Sequence, residues 1–202
     1  SSPTLINCTF ESNTATNYGG GMYNSGSSPT LIDCEFDSNS SQTAGGGIYQ
    51  SGDVISLSGC NFTNNGTNGE GGGAGGGGGI FCIGSTITLD NCDFTYNTAK
   101  YGGAMYNHTS KGSSTLTNCT FNNNTTGDDA GGMYNWYVSD CTLTNCTFTN
   151  NNAKYYNGGG MYNNNSNITL NNCTFNKNTA KQNGGGIRNN NSSPLLSNCT
   201  FD

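Results

Sequence analysis

The triplet Cys-X-Phe occurs eight times in this chain, and its period constrains the fold more than any other feature. The cysteines are Cys8, Cys34, Cys60, Cys92, Cys119, Cys146, Cys173 and Cys199. Two residues after each stands a phenylalanine: Phe10, Phe36, Phe62, Phe94, Phe121, Phe148, Phe175 or Phe201. Successive cysteines lie 26, 26, 32, 27, 27, 27 and 26 residues apart. The one long interval contains the glycine-rich stretch 66–79, which reads as a loop inserted into a constant unit. The chain therefore reads as a single repetitive domain over 1–202.

Within one unit, such as NITLNNCTFNKNTAKQNGGGIRNN at 167–190, the apolar residues alternate in short runs. Ile168 and Leu170 share one parity, and Cys173 and Phe175 share another, so two strands meet at a corner between them. That corner carries Asn7, Asp33, Asn91, Asn118, Asn145, Asn172 and Asn198, with Gly59 as the exception. A second corner, three residues after each Phe, carries Asn13, Asn39, Asn65, Asn97, Asn124, Asn151 and Asn178. Asparagine tolerates left-handed backbone and bonds its own main chain, which suits both bends.

Each unit is thus expected to be one three-walled coil, stacked on the next by parallel strands about 4.8 Å apart. The fold class is all-β, a right-handed parallel β-solenoid of about seven to eight coils of 26–27 residues. At that spacing the rod is on the order of 35 Å long. Cys and Phe form the inward columns of one wall, since cysteine is a small, buried hydrophobe. The corner asparagines become columns of side-chain amides, each both donor and acceptor. In the third wall, the run GGGMYN, Met22, Ile48, Ile80, Met105, Met133, Met161 and Ile187 should point inward. Tyr23, Tyr49, Phe81, Tyr106, Tyr134 and Tyr162 should then point outward as an interaction face, with Arg188 ending the column.

The paired motifs FxxN and GG[AG][MI], as in FTYN at 94–97 and GGAM at 102–105, resemble the repeats of polymorphic outer membrane proteins. More broadly they are similar to the right-handed parallel β-helix repeats of microbial surface proteins. The resemblance covers essentially the whole chain and implies export to a surface. It carries no activity, because such coils serve adhesins, structural proteins and carbohydrate-active enzymes alike. No translocating barrel accompanies the repeats, so autotransport is not expected of these 202 residues.

Only 31% of residues are hydrophobic, which would suggest disorder, but just 9% are charged and the net charge is −6, so self-repulsion is weak. An acidic chain of pI ≈ 4.4 repels phosphate, which argues against a nucleic-acid partner. No stretch approaches a membrane span. The ten cysteines read as buried thiols, because parallel Cβ vectors in stacked coils fit a disulfide poorly. Cys82 replaces the Asn of MYN and Cys141 the Ile of ITL, and no zinc-type Cys/His spacing occurs, so no metal or cofactor is expected. The sequons at 65–67 and 107–109 permit glycosylation, whereas those in NCT are expected to be inaccessible at their tight corner.

For catalysis the best acidic cluster is Asp33, Glu35 and Asp37 with Asp93, alongside Glu11, but it reads as a solvated face. His108, the sole histidine, reads as a surface loop residue beside Lys111 rather than a base. An ice-binding threonine lattice is the weakest alternative: Thr9, Thr120, Thr147, Thr174 and Thr200 share a column, with Thr149 beside Thr147, but Glu35, Asn61 and Asp93 interrupt it. The first and last coils share one phase, with no polar cap in view, so either the chain is a segment of a longer rod or neighbours cover its ends. The expected function is that of a non-catalytic extracellular structural protein, a surface or filament-forming β-helix that associates with itself end to end or laterally. Adhesion to glycans or cell surfaces is the alternative.

Overall fold

The computed structural model describes residues 2–69, 75–109 and 112–202. Within them every regular element is a strand, and all pairings are parallel. The strands form four sheets along one axis, two of eight strands and two of seven, so the chain makes seven complete coils and begins an eighth. Register follows the repeat: Phe36 pairs with Phe10 and Phe62, and Met133 with Met105 and Met161. Of the inserted stretch at 66–79, Gly66–Thr67 is itself a strand, and 70–74 lie outside the described residues.

The wall count differs from the expectation of three. Directly after the asparagine corner come two-residue strands, from Thr14–Ala15 to Thr179–Ala180, which build a fourth sheet. Two residues are too few to display an alternation, so the sequence pattern leaves that wall invisible.

The corners divide the labour differently too. At the first, left-handed backbone falls where expected, as at Asn118 (φ 54) and Gly59 (φ 64). At the second it falls one residue earlier than the asparagine column, on Ser12, Ser38, Asn64, Tyr96, Asn123, Asn150 and Lys177. That single left-handed residue reverses the side-chain parity and turns the following asparagine into the coil. Asn39, Asn65, Asn97, Asn124 and Asn151 are fully buried as a result. They bond neighbouring coils rather than their own main chain: the N–H and Nδ2 of Asn97 both donate to Asn124 Oδ1, at 2.9 and 3.0 Å. Asn97 Nδ2 also donates back to Phe62 O at 2.9 Å. The pattern recurs from Asn13 to Asn178, so the amides satisfy one another along the axis.

Beside this column the phenylalanines stack from Phe10 to Phe201, with centroids 4.5 to 5.1 Å apart and ring planes within 7° of parallel. Such small angles mean that successive rings are barely tilted against one another. Cys34, Cys60, Cys92, Cys119, Cys146 and Cys173 are buried beside the rings. All ten cysteines are free thiols, and Cys119 Sγ donates to Thr117 O at 3.3 Å, a contact repeated in other coils. Burial pushes the Cys141 thiol up to about 12 and the Cys82 thiol further, so both stay protonated.

A second buried amide column, missed in the repeat pattern, occupies the N of MYN. Asn135 Nδ2 donates to Asn163 Oδ1, and Asn163 Nδ2 to Asn189 Oδ1, each at 2.9 Å. Cys82 interrupts it between Gln50 and Asn107. Gln50 Oε1, Asn135 Oδ1 and both amide atoms of Asn107 are buried without a hydrogen-bond partner. Cys82→Asn is expected to supply Asn107 Oδ1 with a donor and stabilise the fold by about 1 kcal/mol. A thermal unfolding midpoint equal to or below that of the parent would refute the repair.

Candidate functional site

The outward aromatic column of the GGGMYN sheet does point away from the central core, but most of it does not reach solvent. Tyr23 is exposed and Tyr49 half-buried, whereas Phe81, Tyr106, Tyr134 and Tyr162 are buried in a second, smaller apolar cluster with Ala44 and Ala130. The expectation of a tyrosine interaction face is corrected accordingly. Rings along it lie 4.7 to 5.3 Å apart, Phe81 and Tyr106 meeting edge to face at 82°. Tyr101 stacks over Tyr134 at 5.8 Å and contributes to the cover, folded over the sheet by the loop that joins it to the short-stranded wall. Local sequence gives no hint of that cover, because parity distinguishes inward from outward and says nothing of what a loop lays on top. Burial raises the Tyr106 phenol, with Tyr134 and Tyr101 adding to it, and Tyr106 Oη has no hydrogen-bond partner.

What remains accessible on this side is the covering layer. Tyr101, Asp128, Asp129 and Tyr156 line a small cleft. Burial pushes the Tyr101 phenol up to about 12, with the Asp128 charge adding to the shift. Asp129 Oδ1 accepts the N–H and Nδ2 of Asn157 at 2.9 and 3.0 Å, yet burial still raises its carboxyl above the usual range. The Lys100 ammonium lies 4.0 Å from Asp128 Oδ2 and 5.5 Å from the centroid of the Tyr101 ring.

His108 is a strand residue rather than a loop residue, the last of Met105–His108, paired with Ile83 and Trp136. Its ring meets Trp136 edge to face at 5.0 Å, and burial lowers its pKa, which keeps it neutral at pH 7. Lys111, its sequence neighbour, lies outside the described residues. Tyr137, just beyond Trp136, is 56% exposed and adopts φ 53, the left-handed region.

Glu11, Glu35, Asp37 and Asp93 lie on the sheet that carries the phenylalanine column. Glu35, Asp37 and Asp93, with Asn61, Thr63 and Thr95, line an open cleft, Asn61 lying in register between Glu35 and Asp93. Glu11 pairs with Asp37, while Asp33 stays apart at the corner with φ 50. Asp37 Oδ1 accepts the Ser38 hydroxyl at 3.0 Å, and Asp93 accepts that of Thr120. Two coils further the same face carries Thr147 and Thr149. No group of three or more His, Cys, Asp and Glu side chains among the described residues could hold a metal ion.

Sequon accessibility runs opposite to expectation. Asn65 and Asn107 are fully buried, whereas Asn118, Asn145 and Asn172 are exposed because the left-handed corner swings them outward. These three link by amide hydrogen bonds, Asn145 Nδ2 to Asn118 Oδ1 at 3.2 Å and Asn172 Nδ2 to Asn145 Oδ1 at 2.7 Å.

With this geometry in place, comparison with known proteins is informative about the repeat. Residues 7–25 and 33–51, the first two coils, match the Chlamydia polymorphic membrane protein repeat. No curated protein matches the chain. Residues 78–202 match the model of the right handed beta helix region, which spans more than half of the sequence and agrees with the stacked parallel coils, so the chain belongs to the right-handed β-helix family.

Proposed function

We propose that this chain is a non-catalytic structural component of a cell surface, a stiff rod that associates with further copies of itself. The observation that carries the reading is the continuity of its internal columns: Asn13 to Asn178 and Phe10 to Phe201 run without interruption, each coil touching only its neighbours. A rod of regularly stacked coils transmits load along its axis. The surface location is supported by the likeness of the first two coils to the Chlamydia polymorphic membrane protein repeat. The non-catalytic reading is supported by the placement of Glu35, Asp37 and Asp93 on an open sheet face, where water has free access and carboxylates are poorly positioned for acid–base work. No helix among the described residues is long and apolar enough to cross a membrane.

Three measurements test it. Antibody against the chain should label intact cells of the source without permeabilisation. Electron microscopy over a range of concentrations should show rods that lengthen, with an axial strand repeat of about 4.8 Å. Incubation with a panel of polysaccharides should release neither reducing ends nor unsaturated products, and turnover abolished by Glu35→Gln or Asp93→Asn would make the chain an enzyme. Adhesion to glycans is a second role, favoured by the exposed Tyr137 beside the half-buried Trp136.

A further inference from the structure

The last residue of each strand in the GGGMYN sheet forms an outward column of its own. In register it runs Ser25, Ser51, Ile83, His108, Trp136, Asn164 and Asn190. Small hydroxyl residues thus give way to an apolar and aromatic group in the middle coils, bordered on one side by amides. Trp136 stands 5.0 Å from the His108 ring and 6.1 Å from Tyr137, and all three keep solvent access.

Tyr137 is the informative residue. It occupies a corner that other coils fill with Gly26 (φ 59), Gly52 (φ 90), Gly84 (φ 59), Thr109 (φ 48), Asn165 (φ 50) and Asn191 (φ 47). An aromatic side chain rarely adopts this backbone, and glycine or asparagine would fit without strain. Nothing is gained in return by packing, since the ring is 56% exposed. Strain held at an exposed position points to a role outside the fold. Tyr96 is equally exposed and left-handed, at a different corner, but stands without an aromatic neighbour within stacking distance among the described residues.

We infer that Trp136 and Tyr137, their ring planes 34° apart, form a stacking platform for a neutral pyranose chain, with His108 bracing Trp136 edge to face and Asn164 and Asn190 contacting the hydroxyl rim of the sugar. This rests on the adhesive reading and identifies its surface. A pyranose presents an apolar C–H face and a polar edge, which matches aromatic plates bordered by amides. Those amides are held in place: Asn164 Oδ1 accepts Asn165 Nδ2 at 2.9 Å and Asn190 Nδ2 at 3.1 Å. The five platform and rim residues are uncharged at pH 7, so neither an acidic nor a basic sugar finds a counter-charge on it. An apolar peptide would cover the amides and leave them unpaired.

Trp136 is the only tryptophan, so its fluorescence reports on this site alone. The full chain is titrated at pH 7 with cellohexaose, laminarihexaose, chitohexaose and galactohexaose. A saturable change in Trp136 emission with at least one of them is expected. Binding, followed for the tryptophan-free variant by calorimetry, should weaken at least about tenfold in Trp136→Ala and in Tyr137→Ala. Tyr137→Gly separates the platform from folding: its unfolding midpoint should rise by about 2–4 °C as the strain is relieved, while binding falls. If a sugar binds but all three variants retain it, the platform is wrong and adhesion survives elsewhere on the rod. If none of the four sugars binds, the platform and the adhesive role both fail.

Discussion

Asn124→Ala is expected to lower the unfolding free energy by about 4 kcal/mol, out of proportion to the loss of one small polar side chain. Asn124 sits fully buried midway along the inner amide column. Its Oδ1 accepts the main-chain N–H and the Nδ2 of Asn97, and its own Nδ2 donates to Phe94 O and to Asn151 Oδ1. Truncation orphans groups in the coils on both sides, and each buried group left unpaired costs about 1–3 kcal/mol. Urea unfolding followed by circular dichroism measures the loss, and a change below about 1 kcal/mol would show that the column is ornamental.

Asn124→Asp sharpens the same prediction. The carboxyl keeps the acceptor oxygen but loses the amide donor, so it faces Phe94 O and Asn151 Oδ1 with nothing to give when ionised. Burial and those two acceptors favour the protonated acid, which raises its folded pKa above the unfolded value of about 3.9. A carboxyl raised on folding makes the unfolded chain the more ionised state. Stability is therefore lost as pH rises from the unfolded value toward the folded one, and beyond it the loss is constant. The aspartate variant should be closest to the parent at acid pH and weaker than it at neutrality, whereas the alanine variant should show no such dependence.

Gly103→Ala is the second large effect, on the order of 3 kcal/mol or enough to prevent folding. A Cβ at Gly103 would enter the carbonyl oxygen of Gly131 in the next coil and come within 2.6 Å of Thr125 O. Both obstacles are backbone atoms fixed by strand pairing on either side, so neither can yield without breaking the ladder. Gly79 provides the control one position further along the motif. There a Cβ would meet Ala104 O at 2.9 Å and the edge of the Phe94 ring at 3.0 Å, and the equivalent position in the following coil already carries Ala104. Gly79→Ala should cost no more than about 1 kcal/mol. Equal losses at the two positions, read from the same unfolding curves, would mean that the close approach of coils does not explain the conserved spelling of the glycine run within this chain.

Much of the architecture was legible because a stacked coil repeats its environment. The 26–27-residue period, the inward Cys and Phe, and the buried asparagines all recur in the sequence at the spacing at which they recur in space. The short-stranded fourth wall was not legible, because Thr98–Ala99 and its equivalents are too brief to alternate. The second amide column hid for a different reason: Gln50 and Cys82 break the spelling of its asparagines, and only the shared register unites them. At the candidate site the sequence view took Tyr106 and Tyr134 as accessible and passed over Trp136 and Tyr137. The only sign available was a departure from the repeat, Trp136 and Tyr137 standing where other coils carry Ser25 and Gly26 or Ser51 and Gly52.

Sequence by itself determined that this chain coils, how many residues each coil takes and which apolar side chains face the axis, because parity and period are local properties of the backbone. Tertiary structure alone decided which outward side chains meet water. Tyr23 and Tyr106 occupy the same place in the repeat, yet one is 55% exposed and the other fully buried. Tyr23 has an in-register ring on one side only, Tyr49, whereas Tyr106 lies between Phe81 and Tyr134 with Tyr101 beside it, and such cover depends on distant segments that no local pattern records.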